Sequence, residues 1–264
     1  MPPAGDARGG AAPARAPRGT RPGMSGFALK VIAIVGMTAD HAGIIFEDAL
    51  PFPLACALQA LGGLTFPIMA FLLVEGYRHT SSVRRYATRL LAFAAVSQVP
   101  FSLAFPPESV SLGSLVLTPP VTGNVLFTLA LGLALLWAHD HVRPRAEFWA
   151  LACLAVAASS VLDWGIIGPV MVLAIGLASQ GRARALMASA IPACALGIPA
   201  LGAVLAGDVS QLPAALYGLV GCTCAGVALA LYDGSRGRPM RWFFYAYYPA
   251  HIAALALAHA LLLG

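Results

Sequence analysis

Long apolar stretches divide this chain, and its basic residues fall only in every second gap between them. Arg8, Arg15, Arg18, Arg21 and Lys30 precede or open the first stretch. Arg78, Arg84, Arg85 and Arg89 follow the second, and Arg143 and Arg145 follow the fourth. Arg182 and Arg184 follow the sixth; Arg236, Arg238 and Arg241 follow the eighth. Together these are all 16 basic residues of the chain. The other gaps carry acids alone: Glu47, Asp48, Glu108, Asp163 and Asp208. Lys and Arg stay on the cytoplasmic side during insertion, so the alternation specifies topology and orientation together.

The stretches run 27–46, 54–75, 87–105, 121–138, 147–162, 164–179, 185–206, 213–232 and 241–263. Their apolar runs are continuous, without the period-two alternation of a barrel strand, which argues for helices. The expected fold is therefore all-α: a polytopic integral membrane bundle of about nine transmembrane helices, N-terminus cytoplasmic and C-terminus outside. With 59% hydrophobic and 10% charged residues and a mean hydropathy of +0.80, the chain has the lipid bilayer as its first partner. The net charge of +5 belongs to loops facing anionic head groups and gives no nucleic-acid signal. Residues 1–23, rich in Pro, Ala, Gly and Arg, are expected to be a disordered cytoplasmic tail, and 24–264 a single transmembrane domain. No apolar core with a cleavage site precedes the first stretch, so no signal peptide is expected. Met24-Ser25-Gly26-Phe27 leads straight into that stretch, which makes Met24 a candidate start.

Two regions bend this simple picture. Stretches 147–162 and 164–179 are short for a ~30 Å core and read either as two short spans or as a re-entrant hairpin turning at Asp163-Trp164-Gly165. Pro192, Gly197, Pro199 and Gly202 predict a kink in the seventh stretch. No internal repeat is evident. Cys56, Cys153, Cys194, Cys222 and Cys224 are odd in number, form no Cys-x-x-Cys pair and lie in or beside apolar stretches. They read as small core residues, and no metal site is expected.

Ionisable residues inside the stretches carry the functional signal. Asp40 and His41 lie ~16 to 20 Å into the first helix at 1.5 Å per residue. Such groups are costly at that depth unless paired or hydrated, and they mark function by default. Adjacent helical residues point ~100° apart, so each is expected to meet a partner from another helix rather than form a dyad. Gln98 and His251 fall ~15 Å into their own helices by the same rise, in one layer with Asp40 and His41. Asn124 and Asp163 fall above that layer, towards the outer ends. A buried site needs such convergence, although an interhelical network that merely glues the bundle has the same composition. Glu75 ends the second stretch, where Arg78 and His79 stand three and four residues on and are expected to neutralise it. The cluster of Arg84, Arg85 and Arg89 suits either a phosphate-bearing ligand or insertion alone. His139 and His141 are expected in a solvated loop, and His259 near the outer end.

Taken in order, these residues resemble the TraX family of conjugal-transfer membrane proteins. The likeness begins with Leu29-Lys30-x-Ile32-Ala33-x-x-x-Met37-x-x-Asp40-His41-x-Gly43. It continues through Phe66-Pro67-Ile68-Met69-Ala70-Phe71, Glu75-Gly76 and His79-Thr80, then Tyr86-x-x-Arg89-Leu90 and Ser97-Gln98-x-Pro100-Phe101. Asn124-Val125-Leu126-Phe127-Thr128, Asp163-x-Gly165-x-x-Gly168 and Phe244-Tyr245-x-x-Tyr248-Pro249-x-His251 complete it, so that residues 27–255 are covered. One departure stands out: the family usually has Gly-Arg before its Phe-Pro motif, whereas here Gly62 is followed by Gly63.

The resemblance implies a bacterial inner-membrane protein linked to N-terminal acetylation of pilin, akin to multi-spanning acyltransferases that use cytoplasmic acetyl-CoA. On that reading His41, Asp40 and His251 are the candidate catalytic residues. Gln98, Asn124, Asp163 and Glu75 are the candidate substrate-binding residues, and Arg78, Arg85 and Arg89 would hold the donor. The acceptor would be a pilin-like amine or another cell-surface group. Two other classes share these residues: a proton-coupled transporter relaying through Asp40, His41 and Asp163, and a non-catalytic assembly factor.

Overall fold

The computed structural model describes residues 23–105, 123–179 and 181–263. The expected tail at 1–22 and the loop around Glu108 lie outside them. Among the described residues the secondary structure is helical, with two isolated bridges, Met24 to Tyr232 and Gly123 to Leu162, and no strand.

Helix α1 (Gly26–Ile45) starts where the Ser25 hydroxyl accepts from the Ala28 N–H at 3.2 Å, a standard N-cap. Helices α2 (Phe52–Gly62) and α3 (Thr65–His79) divide the second apolar stretch, parting at Gly63-Leu64. Helix α4 (Val83–Ala104) is capped by Ser82, and α5 (Val125–His141) by Asn124. Two short helices follow, α6 (Arg145–Ala158) and α7 (Ile167–Leu177). Helices α8 (Gly181–Leu205), α9 (Val209–Ala230) and α10 (Arg241–Leu262) complete the chain.

Among the described residues five helical units are long and apolar enough to cross a membrane: α1, the α2–α3 unit, α4, α8 and α9. Helices α5 and α7 are apolar but shorter. At 11 residues, α7 spans only ~16 Å, about half a bilayer core. It is nevertheless central. Met171, Val172 and Ile175 are fully buried, and α7 packs on α3, α5 and α8. The α3 residues Phe66, Ile68, Ala70 and Val74 meet it in the core. The outer surface is apolar too: Leu103 and Leu205 are 75% and 80% exposed, as a lipid-facing wall requires.

The helix ends that carry basic residues gather at one end of the bundle. Arg184 of α8 pairs with Glu75 of α3 at 2.6 Å, and Arg78 donates to the Gly176 carbonyl of α7 at 2.7 Å. The Tyr77 hydroxyl donates to Asp140 of α5 at 2.5 Å, and the Met24 N–H donates to Leu231 O at 2.8 Å. Glu75 is therefore neutralised by Arg184 across 109 residues, not by its neighbours Arg78 and His79. Those two side chains are turned to backbone carbonyls, Gly176 O and Glu75 O respectively.

The expected disturbance in the seventh stretch is a π turn at Ala193–Gly197, directly after Pro192. A second π turn, at Tyr217–Gly221, interrupts α9. The two touch backbone to backbone: a Cβ on Gly218 would stand 2.5 Å from Gly197 Cα. Cys56 and Cys222 are buried as expected of core residues. Cys153, Cys194 and Cys224 instead face outwards, since a lipid-facing wall accepts the same small apolar side chain.

Candidate functional site

Helices α1 and α10 pack together, and their contact is polar at its centre. His41 Nδ1 lies 2.8 Å from His251 Nε2, with the two rings parallel to within 9°. His251 Nδ1 lies 2.9 Å from the Tyr247 carbonyl. A carbonyl only accepts, so Nδ1 of His251 carries the proton and its Nε2 is bare when the ring is neutral. That bare nitrogen must accept from His41 Nδ1–H. A neutral His41 is thereby left with its lone pair on Nε2. One turn away, the Tyr247 hydroxyl and Thr38 Oγ1 are 2.8 Å apart, and Thr38 also donates to Ile34 O at 2.7 Å. This side chain to backbone scaffold fixes the ring of His251, which is 7% exposed.

Asp40 points the other way round α1, as its ~100° offset requires. Its carboxyl lies against Gly62 at the end of α2, where any side chain would collide with it. Asp163 lies on the turn between α6 and α7. The turn that presents Asp163 is tightly tied. Its N–H donates to Gly123 O at 2.7 Å, its carbonyl accepts from the Thr128 hydroxyl, and Ser159 Oγ donates to Gly165 O at 3.0 Å. Trp164 follows with φ of 66°, a left-handed conformation unusual for a bulky residue and typical of over-determined sites. Its ring stacks on Phe66 with centroids 4.2 Å apart.

Two tyrosines close the layer. Tyr217, the first residue of the α9 π turn, lines one cleft with Asp163, its ring centroid 5.9 Å from that of Trp164. Tyr248 is 4% exposed, and its ring centroid lies 5.7 Å from that of His251. Among the described residues its buried hydroxyl donates to no partner. Beside this layer opens a cleft of about 520 Å³, walled by Ser160, Asp163, Trp164, Ile166, Leu196 and Tyr217. It combines apolar and aromatic walls with one carboxylate, the composition of a small-ligand site.

The remaining candidates occupy distinct places. Gln98 and Asn124 bind each other: Gln98 Oε1 accepts from Asn124 Nδ2 at 2.9 Å and from the Asn124 N–H at 3.2 Å. Asn124 also caps α5 through Leu126 N–H and donates to Ala94 O at 2.8 Å. Phe105, just beyond α4, lies edge-on to His41 at 5.2 Å and links this pair to the histidines. Glu75 and Arg78 sit at the basic end, engaged as described, away from the histidine contact. Arg85 is exposed. Arg89 lies 5.6 Å over the Tyr86 ring, and its buried Nε has no hydrogen-bond partner among the described residues. Among the described residues no three His, Cys, Asp or Glu side chains converge as a metal set.

Sequence reasoning missed Tyr217 and the strain at Trp164. Nothing in a lone apolar-stretch tyrosine marks it, because a π turn decides which way it faces. Tyr248 stood inside the last motif but gave no reason to rank it above its neighbours. Gly63 has a structural account: a Cβ there would stand 2.8 Å from Gly221 Cα and 2.9 Å from Cys222 N. The α2–α3 break is seated directly on the α9 π turn, leaving no room for an arginine.

A bundle of apolar helices around a layer of imidazole, carboxyl and phenol groups defines a multi-pass membrane protein with an internal polar site. Within that class the chain belongs to the TraX family, whose description, TraX protein, matches residues 25–259. It is also 33% identical over 243 residues to the probable fimbrial assembly protein FimC, serogroup H1, of Dichelobacter nodosus, which covers 89% of this chain and 95% of that relative. No solved structure matches.

Proposed function

We propose that this protein is a membrane acyltransferase that moves an acetyl group from cytoplasmic acetyl-CoA to an amine of a pilin-like or other cell-surface acceptor. The observation that carries this reading is the His41–His251 contact, which leaves one unshared lone pair at His41 Nε2. Positioned there, His41 takes a proton from the acceptor nitrogen as that nitrogen bonds to the thioester carbonyl carbon. The carbon–sulfur bond then breaks, and the departing thiolate takes the proton that His41 removed, which restores the neutral imidazole. The unpartnered hydroxyl of Tyr248 is suited to donate to the oxygen that becomes negative in between. Asp163, in the wall of the aromatic cleft, suits an ammonium-bearing acceptor.

The donor's phosphates fit the arginines of α4. Arg85 is exposed and Arg89, one turn on, has an unused buried donor. Arg78 fits less well, since Gly176 O already holds it. The topology we propose places about nine helical stretches in the bacterial inner membrane, with the N-terminus and all basic loops cytoplasmic. The gathering of basic helix ends through Glu75–Arg184, Arg78–Gly176 and Tyr77–Asp140 supports it.

The fimbrial assembly name of the Dichelobacter relative favours a second reading, a non-catalytic assembly factor for a surface fibre. One experiment separates the two. Purified protein with labelled acetyl-CoA and membrane extract is expected to yield a labelled acceptor and free thiol, and His41→Ala to yield neither while still inserting. Undiminished labelling by the variant rejects the catalytic role of His41; fibre assembly that survives in the variant, with no labelling by either protein, selects the second reading.

A further inference from the structure

Away from the histidine layer, a groove of about 680 Å³ runs between α4 and α5 and ends against the close of α6. We propose that it holds one acyl chain of an anionic glycerophospholipid, with the lipid phosphate on Arg84. The groove is carved by small residues. Ala87 on α4, with Ala130 and Ala134 on α5, leave a channel where larger side chains would fill the space between the helices. Along α5 it extends from Phe127 to Trp137, ten residues or ~15 Å, a length suited to most of an extended chain. Its volume falls in the ~300–1,000 Å³ range of pre-formed ligand sites.

The two ends differ, and the difference selects the occupant. One end closes on Leu162, wholly apolar. The other carries Arg84 and Trp137, both exposed. Arg84 forms no ion pair among the described residues, and no carboxylate lines the groove. The nearby Asp140 is already engaged by Tyr77 and His139. Arg143 and Arg145 both donate to the His139 carbonyl, two residues beyond Trp137. A cation and an indole at one end of an apolar channel match a phosphate above a fatty chain, the usual arrangement at a bilayer interface.

The test uses full-length protein in mild detergent, stripped of lipid and offered phosphatidylglycerol or phosphatidylcholine with identical chains. Native mass spectrometry reads the lipid retained. Wild type is expected to retain one phosphatidylglycerol in preference to phosphatidylcholine. Arg84→Gln should reduce that preference about fivefold, the effect of one arginine at an anionic surface. Ala134→Phe and Ala87→Phe, plugging the channel from opposite helices, should each lose the adduct of either lipid. Equal retention of the two lipids by wild type overturns the proposal. So does a phosphatidylglycerol adduct that survives both plugs, or a dimer that the plugs dissociate. Should both plugs fail to fold, the Arg84→Gln preference alone decides.

Discussion

His41 and His251 stand 210 positions apart in the chain, yet their ring nitrogens are 2.8 Å apart. With Tyr247 O holding the proton of His251 Nδ1, the pair has one arrangement of protons when neutral. His251 is thus a positioning residue and His41 the proposed base. Replacing His251 by Leu should cut acetyl transfer at least ~100-fold, because His41 is then free to adopt the wrong tautomer. His251→Gln, whose amide oxygen accepts from His41 Nδ1–H, should recover part of the rate. Equal loss in both variants, at equal folded yield, would remove the tautomer argument.

The same pair predicts a pH dependence. One proton added to the neutral pair occupies the His41 Nε2 lone pair, so transfer should fall on the acid side of the profile and be flat above it. A rate profile carried down to the acid limit of the protein's stability tests this. In His41→Ala the acid limb should vanish together with the rate.

Asn124 is fully buried and joins α4 to the start of α5. Its removal leaves the Leu126 N–H without its cap, while Gln98 Oε1 keeps the Asn124 backbone N–H. A lost cap costs ~1 kcal/mol, and interhelical hydrogen bonds in membranes average ~0.6 kcal/mol. Asn124→Ala should therefore destabilise by roughly 1–2 kcal/mol, read as a lower Tm in detergent with the helix content intact. No change in Tm would mean that water replaces the amide.

Gly63→Arg restores the residue usual in the family but should not restore a working site. The added Cβ alone would collide with Gly221 and Cys222, so α2–α3 and α9 must separate. Overpacking of that kind costs ~1–3 kcal/mol or more. The expected result is a poorly folded protein by size-exclusion chromatography; a well-folded and more active variant would contradict the seating described here.

Much of this was legible in the amino-acid order. Continuous apolar runs announced helices in the right places, because burying a backbone in lipid leaves few other options. The depth of His41 and His251 along their helices placed them in one layer, since rise per residue is fixed. Glu75 was misread because local spacing cannot weigh a partner 109 residues away, and Arg184 is a better one than Arg78. Tyr217 was invisible for a different reason. Its direction depends on a π turn, and no propensity rule locates such a turn in a sequence as bland as Tyr217-Gly218-Leu219-Val220-Gly221.

That turn has one more implication. A π turn accommodates an additional residue without lengthening the helix, so everything beyond it is rotated by roughly 100°. The halves of α9 therefore obey separate phases: Tyr217 lines the cleft with Asp163, while Gly226 lies on Ser189 of α8. Deleting a single residue between 218 and 221 would erase the offset and force one half to abandon its neighbours. In this protein the most disruptive small lesion is an omission, and chain length within five residues is as strictly determined as the identity of any side chain.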